Sequence, residues 1–130
     1  MIVDTSALVA ILRAEPDAMR FAKAIQAADP RRLSAVSYVE AAAVIENSSD
    51  PVAKRRFDDL LREAEIAIEA VSVPQARIAR EAYRDYGRGR GHPAKLNLGD
   101  CFAYALAKEL GEPLLFKGKD FAHTDIESAL

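Results

Sequence analysis

Short apolar runs alternating with helical segments constrain this chain more than any other feature. Ile2-Val3, Leu33–Val36, Ile66–Val73 and Pro113–Phe116 have the length and residue types of buried strands. After Ile2-Val3-Asp4, the residues Leu8, Ile11 and Leu12 recur at helical spacing. Pro16 opens a second helix with Met19, Phe21, Ala22, Ile25 and Ala28 on one face, and Asp29-Pro30 ends it. Ser37 and Glu40 have the spacing of a capping box, which predicts that the helix Val39 to Glu46 starts at Ser37. Asp50-Pro51 opens another, with a stripe at Phe57, Leu60, Leu61 and Ala64. Pro74 opens the next, with Ile78, Ala79, Ala82, Tyr83 and Tyr86 inward. Asn97 to Asp100 starts the last, which Gly111 ends. The tail Thr124 to Leu130 reads as a small strand or a turn. Strand–helix alternation of this kind predicts an α/β fold with three layers, α/β/α. Its centre is a short, mainly parallel sheet of about four to five strands, and one domain spans residues 1–130.

Composition narrows the function classes. Half of the residues are apolar, which fits a packed core, and the net charge of −2 argues against a protein that binds nucleic acid by overall attraction. Any nucleic-acid contact must be local. No apolar run approaches the ~18 residues of a membrane span, and Ile2-Val3-Asp4 is not the basic opening of an export signal. One cysteine, Cys101, sets among apolar neighbours, cannot form an internal disulfide. The expectation is a cytoplasmic protein without a membrane partner.

Four acids stand where sites form in such sheets, beyond the carboxyl ends of the strands. Asp4 follows the first strand and Asp120 lies just past the last; Glu40 and Asp100 fall in first helical turns. Each has an ordinary structural role available: Asp4 as an N-cap, Glu40 with Ser37 and Asp100 with Asn97 as capping boxes, Asp120 as a turn residue. Together they are harder to dismiss. Carboxylates brought this close resist ionising beside one another, and a divalent cation relieves the repulsion. The candidate donors are all oxygen, and neither His92 nor His123 lies in a zinc-like spacing. Oxygen donors with open positions suit Mg²⁺ or Mn²⁺. Thr5 and Ser6, beside Asp4, are candidates to hold a phosphate oxygen or a water.

Four segments in order then resemble one family: Met1-Ile-Val-Asp-Thr-Ser-Ala7, Ser37-Tyr-Val-Glu40, Leu98-Gly-Asp-Cys-Phe-Ala-Tyr-Ala-Leu-Ala107, and Leu114-Leu-Phe-Lys-Gly-Lys-Asp-Phe121. They resemble PIN-domain proteins, in particular the VapC-type toxin ribonucleases of bacterial type II toxin–antitoxin pairs. The resemblance implies a PIN-like fold and a Mg²⁺- or Mn²⁺-dependent endoribonuclease that hydrolyses RNA phosphodiester bonds. It also implies neutralisation by a cognate VapB-type antitoxin, packed in a groove near the first helices, and a homodimer. The family's acids fall on Asp4, Glu40 and Asp100, with Asp120 the nearest candidate for the fourth. In that reading Asp4 and Asp100 bind the ion, while Glu40 and Asp120 bind a second ion or orient and deprotonate water. Leu8, Ile11, Leu12 and the stripe around Phe57 and Leu61 are candidate partner surfaces.

The glycine-spaced basic stretch Gly87–Lys95 is a second candidate. Arg84, Arg88, Arg90, His92 and Lys95 are placed to meet RNA phosphates, and Lys117 and Lys119 to offset the acids or meet the cut strand. Tyr38 and Tyr104 fit a core better than a base-stacking role. A phosphatase with an aspartyl nucleophile needs a second Asp where Ser6 stands, and a phosphate-receiving domain needs an acidic pair where Ile2-Val3 stand. The main alternative outside enzymes is a non-catalytic α/β protein-binding module whose acids are helix caps.

Overall fold

The computed structural model describes all residues, 1–130. Strands β1 (Ile2–Val3), β2 (Arg31–Ser34), β3 (Ile66–Glu69) and β4 (Leu114–Leu115) form one sheet in the order β3-β2-β1-β4. Every pairing is parallel, with Ile2 opposite both Arg32 and Leu114, Val3 opposite Leu115, and Arg31–Ser34 opposite Ile66–Glu69. All four carboxyl ends therefore point to one edge.

Alternation along the strands splits the core. Val3, Leu33, Ile66 and Leu115 face α1 (Thr5–Leu12), α2 (Ala18–Ala27), α3 (Ala35–Glu46) and α4 (Pro51–Glu63). Ile2 and Leu114 face α5 (Val73–Tyr86) and α6 (Leu98–Leu110). This is the three-layer α/β/α arrangement that the alternation predicts. Helix α6 buries Cys101 and every residue from Ala103 to Ala107, because its alanines let it lie close against the sheet. Gly111 ends it in the left-handed conformation at φ 64°, which glycine adopts without a Cβ penalty.

Several boundaries differ from the sequence reading. The second strand is Arg31–Ser34 and not Leu33–Val36, and α3 starts at Ala35. Ser34 is its N-cap, accepting from the Val36 N–H at 3.3 Å. Ser37 is thus inside the helix and fully buried, so the Ser37–Glu40 capping box does not form and Glu40 lies past the first turn. The α2 helix begins at Ala18, two residues after Pro16, and β3 stops at Glu69, well before Val73. Beyond β4 the chain makes a short 3₁₀ turn at Phe121–His123, and the tail adds only a bridge between Leu114 and Ser128.

The proposed partner surfaces are also corrected. Leu8, Leu12, Phe57 and Leu61 are buried in the core; Ile11 is mostly buried but keeps an edge at a surface recess between α1, α2 and α4. Their apolar spacing reflects packing between α1, α4 and the sheet. Tyr38 stacks on Phe57 with ring centres 5.7 Å apart, and the Tyr104 hydroxyl donates to Asp125 at 2.6 Å. Both tyrosines belong to the packing. No helix is long and apolar enough to cross a membrane.

Candidate active site

Asp4 is fixed at the sheet edge by its own backbone. Its N–H donates to the Leu115 carbonyl at 2.9 Å, which holds the ends of β1 and β4 together. Its side chain is the N-cap of α1: Oδ2 accepts from the Ser6 N–H at 3.0 Å and from the Ser6 hydroxyl at 2.5 Å. The capping role is therefore real. It uses one oxygen only, and Oδ1 is buried with no hydrogen-bond partner. A carboxylate that is 97% hidden and half unsatisfied is costly to charge. Burial pushes its pKa up, against the pull of the Ser6 hydrogen bonds.

Ser6 does more than start a helix. Its hydroxyl also accepts from the Lys117 N–H at 2.9 Å, bridging Asp4 to the residue after Phe116 at the end of the last strand. Thr5 plays the matching part for Glu40: its Oγ1 lies 3.1 Å from both Glu40 Oε1 and the Ser37 carbonyl. Both hydroxyls are used to position acids.

Glu40 projects from α3 between α1 and α6. Burial raises its pKa most, the Thr5 hydrogen bond lowers it, and the nearby Asp4 charge raises it again. Gly99, the second residue of α6, lies against this carboxyl group so closely that a Cβ there would overlap it. The glycine was not among the residues singled out in the sequence. Its signal was a poor helix former in the first turn of an otherwise strong helix.

Asp100 closes a capping box with Asn97, each side chain accepting the other's backbone N–H at 2.8 and 3.0 Å. Here too the cap occupies one oxygen. Its pKa rises to about 7, chiefly from burial, with the Asp4, Glu40 and Asp120 charges adding to it. Acids as far apart along the chain as Asp4 and Asp120 thus bear on Asp100 at a single edge, as the sheet rule requires. Asp120 is the outermost, exposed and without a capping hydrogen bond. The four do not close into a cage: no three acidic, His or Cys side chains converge tightly enough to hold an ion by themselves. Mg²⁺ is commonly held by one or two carboxylates with water and phosphate completing the shell, so an open cluster fits that chemistry.

Residues 1–127 match the family model of the PIN domain. The chain is a PIN-domain protein. Within that family it is similar to VapC ribonuclease Mb0625 of Mycobacterium bovis and to ribonuclease VapC28 of Mycobacterium tuberculosis. Each is 57% identical over 130 residues, covering 100% of this chain and 98% of the relative. Ribonuclease VapC42 of M. tuberculosis is 53% identical over 129 residues, 99% of this chain and 98% of its own length. The fold agrees with the crystal structure of M. tuberculosis VapC20, a sarcin–ricin loop cleaving toxin, at a TM-score of 0.76 and 16% identity over 96% of this chain and 95% of that one. These matches place this PIN-domain protein among the VapC proteins.

Other predicted groups fall elsewhere. Lys117 does not offset the acid cluster; its ammonium pairs with Glu15 and, at 3.0 Å, with Asp17, in the connection between α1 and α2. Arg84, Arg88, Arg90 and Lys95 are exposed at the end of α5 and in the loop after it. His92 accepts the Ala94 N–H at 3.1 Å and packs edge-on against Tyr86. Cys101 is buried, and burial pushes its thiol up to about 11, so it is no nucleophile at neutral pH.

Proposed function

We propose that this VapC-family protein is an endoribonuclease that hydrolyses RNA phosphodiester bonds with Mg²⁺ or Mn²⁺, and that it acts in the cytoplasm as the toxin of a toxin–antitoxin pair. The observation that carries the reading is geometric: Asp4 presents an unpartnered buried oxygen at the sheet edge, Thr5 beside it holds Glu40, and the first turn of α6 that carries Asp100 lies against Glu40 through Gly99. A divalent ion supplies positive charge that steadies the phosphodiester and makes water a nucleophile near neutral pH. Asp4 would hold it with the carboxylate whose Oδ1 is unpartnered, its other oxygen being anchored by Ser6. Asp100, whose capping bond to Asn97 uses one oxygen only, would be the second holder. Glu40, turned into the site by Thr5 and kept there by the room over Gly99, orients the attacking water and takes its proton. Asp120, exposed at the rim, completes the acid set.

The solved relative from Klebsiella pneumoniae is a toxin–antitoxin complex, similar in fold at a TM-score of 0.69 and 20% identity. In this chain, Ile11, Ala22, Ile25 and Leu60 line an open recess of about 310 Å³ between α1, α2 and α4. That recess is the proposed seat for an apolar segment of a VapB-type antitoxin, and the proposed working form is a homodimer.

The test is cleavage. The purified protein with Mn²⁺ is expected to generate new 5′ ends in cellular RNA, while Asp4→Asn, Glu40→Gln and Asp100→Asn proteins do not. Equal cleavage by the parent and the Asp100→Asn protein would refute the proposed site. Absence of cleavage by the parent, together with tight binding of a partner protein, would favour the binding-module alternative.

A further inference from the structure

Helix α5 carries Arg77, Arg80 and Arg84 at spacings of three and four, which places them in one row. Together with Glu81 they are the only residues lining a recess of about 420 Å³. All three arginines are exposed. Arg84 is held by Asp85 at 3.0 Å, whereas Arg77 and Arg80 enter no salt bridge. A second recess, of about 560 Å³, follows at the loop, lined by Arg88, His92, Lys95, Gly89, Gly91 and Pro93. The loop is closed at its neck, the Arg88 N–H donating to the Leu96 carbonyl at 2.8 Å and the Leu96 N–H to that of Tyr86 at 2.9 Å. Leu96 directly precedes the N-cap of α6, whose first turn carries Asp100. Basic groups therefore run from the flank of α5 to the threshold of the acid cluster. Between residues 77 and 95 there are six Arg or Lys against two acids, in a chain whose net charge is −2.

We propose that the arginine row of α5 is a docking track for the phosphate backbone of the RNA substrate, lying outside the acid cluster and beyond the basic loop. This rests on the ribonuclease reading and adds how the substrate is held. At ~1.5 Å per residue the row spans about 10 Å from Arg77 to Arg84, enough to meet more than one phosphate of a strand. Guanidinium groups grip phosphate oxygens through paired N–H donors. The α5 recess has no apolar side chain in its lining, so it lacks the apolar anchor that a protein partner would need. Phosphate contacts of this kind fix position and carry no sequence information, so the track tethers RNA while the loop and the acids meet the strand to be cut.

The experiment compares the full-length parent with Arg77→Ala/Arg80→Ala and Arg77→Lys/Arg80→Lys proteins. A fluorescently labelled RNA hairpin with single-stranded flanks is titrated in a metal chelator, so that nothing is cut, across a salt series. On single strands each phosphate contact contributes ~0.7 to the slope of log affinity against log salt, so the alanine pair is expected to lower it by about 1.4. The lysine pair, which keeps both charges, recovers most of it. Unchanged slopes in both variants overturn the track. So does a result in which the alanine pair loses binding of an acidic protein segment while RNA binding is unaffected, or in which inorganic phosphate binds the recess and RNA does not. Circular dichroism of both variants checks that the helix is intact. Should the parent bind RNA with the predicted slopes yet cut none, the ribonuclease reading fails and the track stands. Should it cut RNA with identical slopes in all three proteins, the track fails alone.

Discussion

Gly99 lies so close to the carboxyl group of Glu40 that the two leave no room for a methyl group between them. Helices α3 and α6 thus meet at a glycine and an acid, and the missing side chain of one is the space the other fills. Alanine at this position would favour the helix by up to ~1 kcal/mol in propensity. It would also push aside the free end of Glu40. A Gly99→Ala protein is therefore expected to melt within a few degrees of the parent. Its RNA cleavage falls by at least about tenfold, equivalent to about 1.4 kcal/mol of lost transition-state stabilisation. Melting curves and cleavage rates measured on one preparation check this; cleavage at the parent rate would show that the position of Glu40 is immaterial.

The Asp4 carboxyl group is buried with one oxygen unsatisfied, which makes its charged form costly. Without a cation, an amide there removes the cost of charging a buried group while its carbonyl retains the Ser6 hydrogen bonds. In a metal-chelating buffer, the Asp4→Asn protein is expected to melt at or above the parent temperature. Added Mn²⁺ raises the melting point of the parent by mass action and leaves that of the variant where it was. Calorimetry in both buffers decides it, and an equal Mn²⁺ shift in the two proteins would remove Asp4 from the ion site.

Asp100 titrates near 7 in the folded protein, raised by burial and by its acidic neighbours from an ordinary 3.8. Between those values the folded state holds a proton that the unfolded chain has released. This contribution to stability is complete below about pH 3.8 and is lost as pH rises through about 7. The metal-free parent should therefore lose stability relative to Asp100→Asn as pH rises from 5 to 8. Denaturant unfolding across that range is the measurement, and parallel profiles for the two proteins would contradict the shift.

Ser6 and Lys117 separate two kinds of interaction at the same corner. Removing the Ser6 hydroxyl leaves the Lys117 N–H without its acceptor and Asp4 with one donor fewer. Ser6→Ala is expected to cost about 1–2 kcal/mol of stability and to impair cleavage through Asp4. Lys117→Met breaks only the half-exposed pairs with Glu15 and Asp17. Those contribute less than ~1 kcal/mol and fade with salt. Urea unfolding at low and high salt tests the contrast; a larger loss in the lysine variant would reverse it.

Much of the fold was legible in order. Apolar runs of strand length between helical stripes dictated a parallel sheet with helices on both faces, because a parallel crossover needs a helix. Asp29-Pro30, Asp50-Pro51 and Gly111 marked boundaries because proline and glycine act locally, whatever surrounds them. The helix starts at Ala35 and not at Ser37, because a serine signals a cap wherever it stands and Ser34 offers the same chemistry three residues earlier. The choice of Ser34 came from the pairing of Arg31–Ser34 with Ile66–Glu69, which ends the strand two residues earlier.

The sequence by itself determined the layered α/β architecture, since periodicity is a property of neighbouring residues, and its resemblance to PIN-domain proteins over four segments pointed to Asp4, Glu40, Asp100 and Asp120 as the acids to examine. Only the tertiary structure decided what those acids do for one another. It left one Asp4 oxygen unpaired, raised Asp100 toward neutrality, set Gly99 against Glu40 and turned Lys117 away to Glu15 and Asp17. Burial, field and close approach depend on groups far apart along the chain, and they take values only once the sheet has brought its strand ends to a common edge.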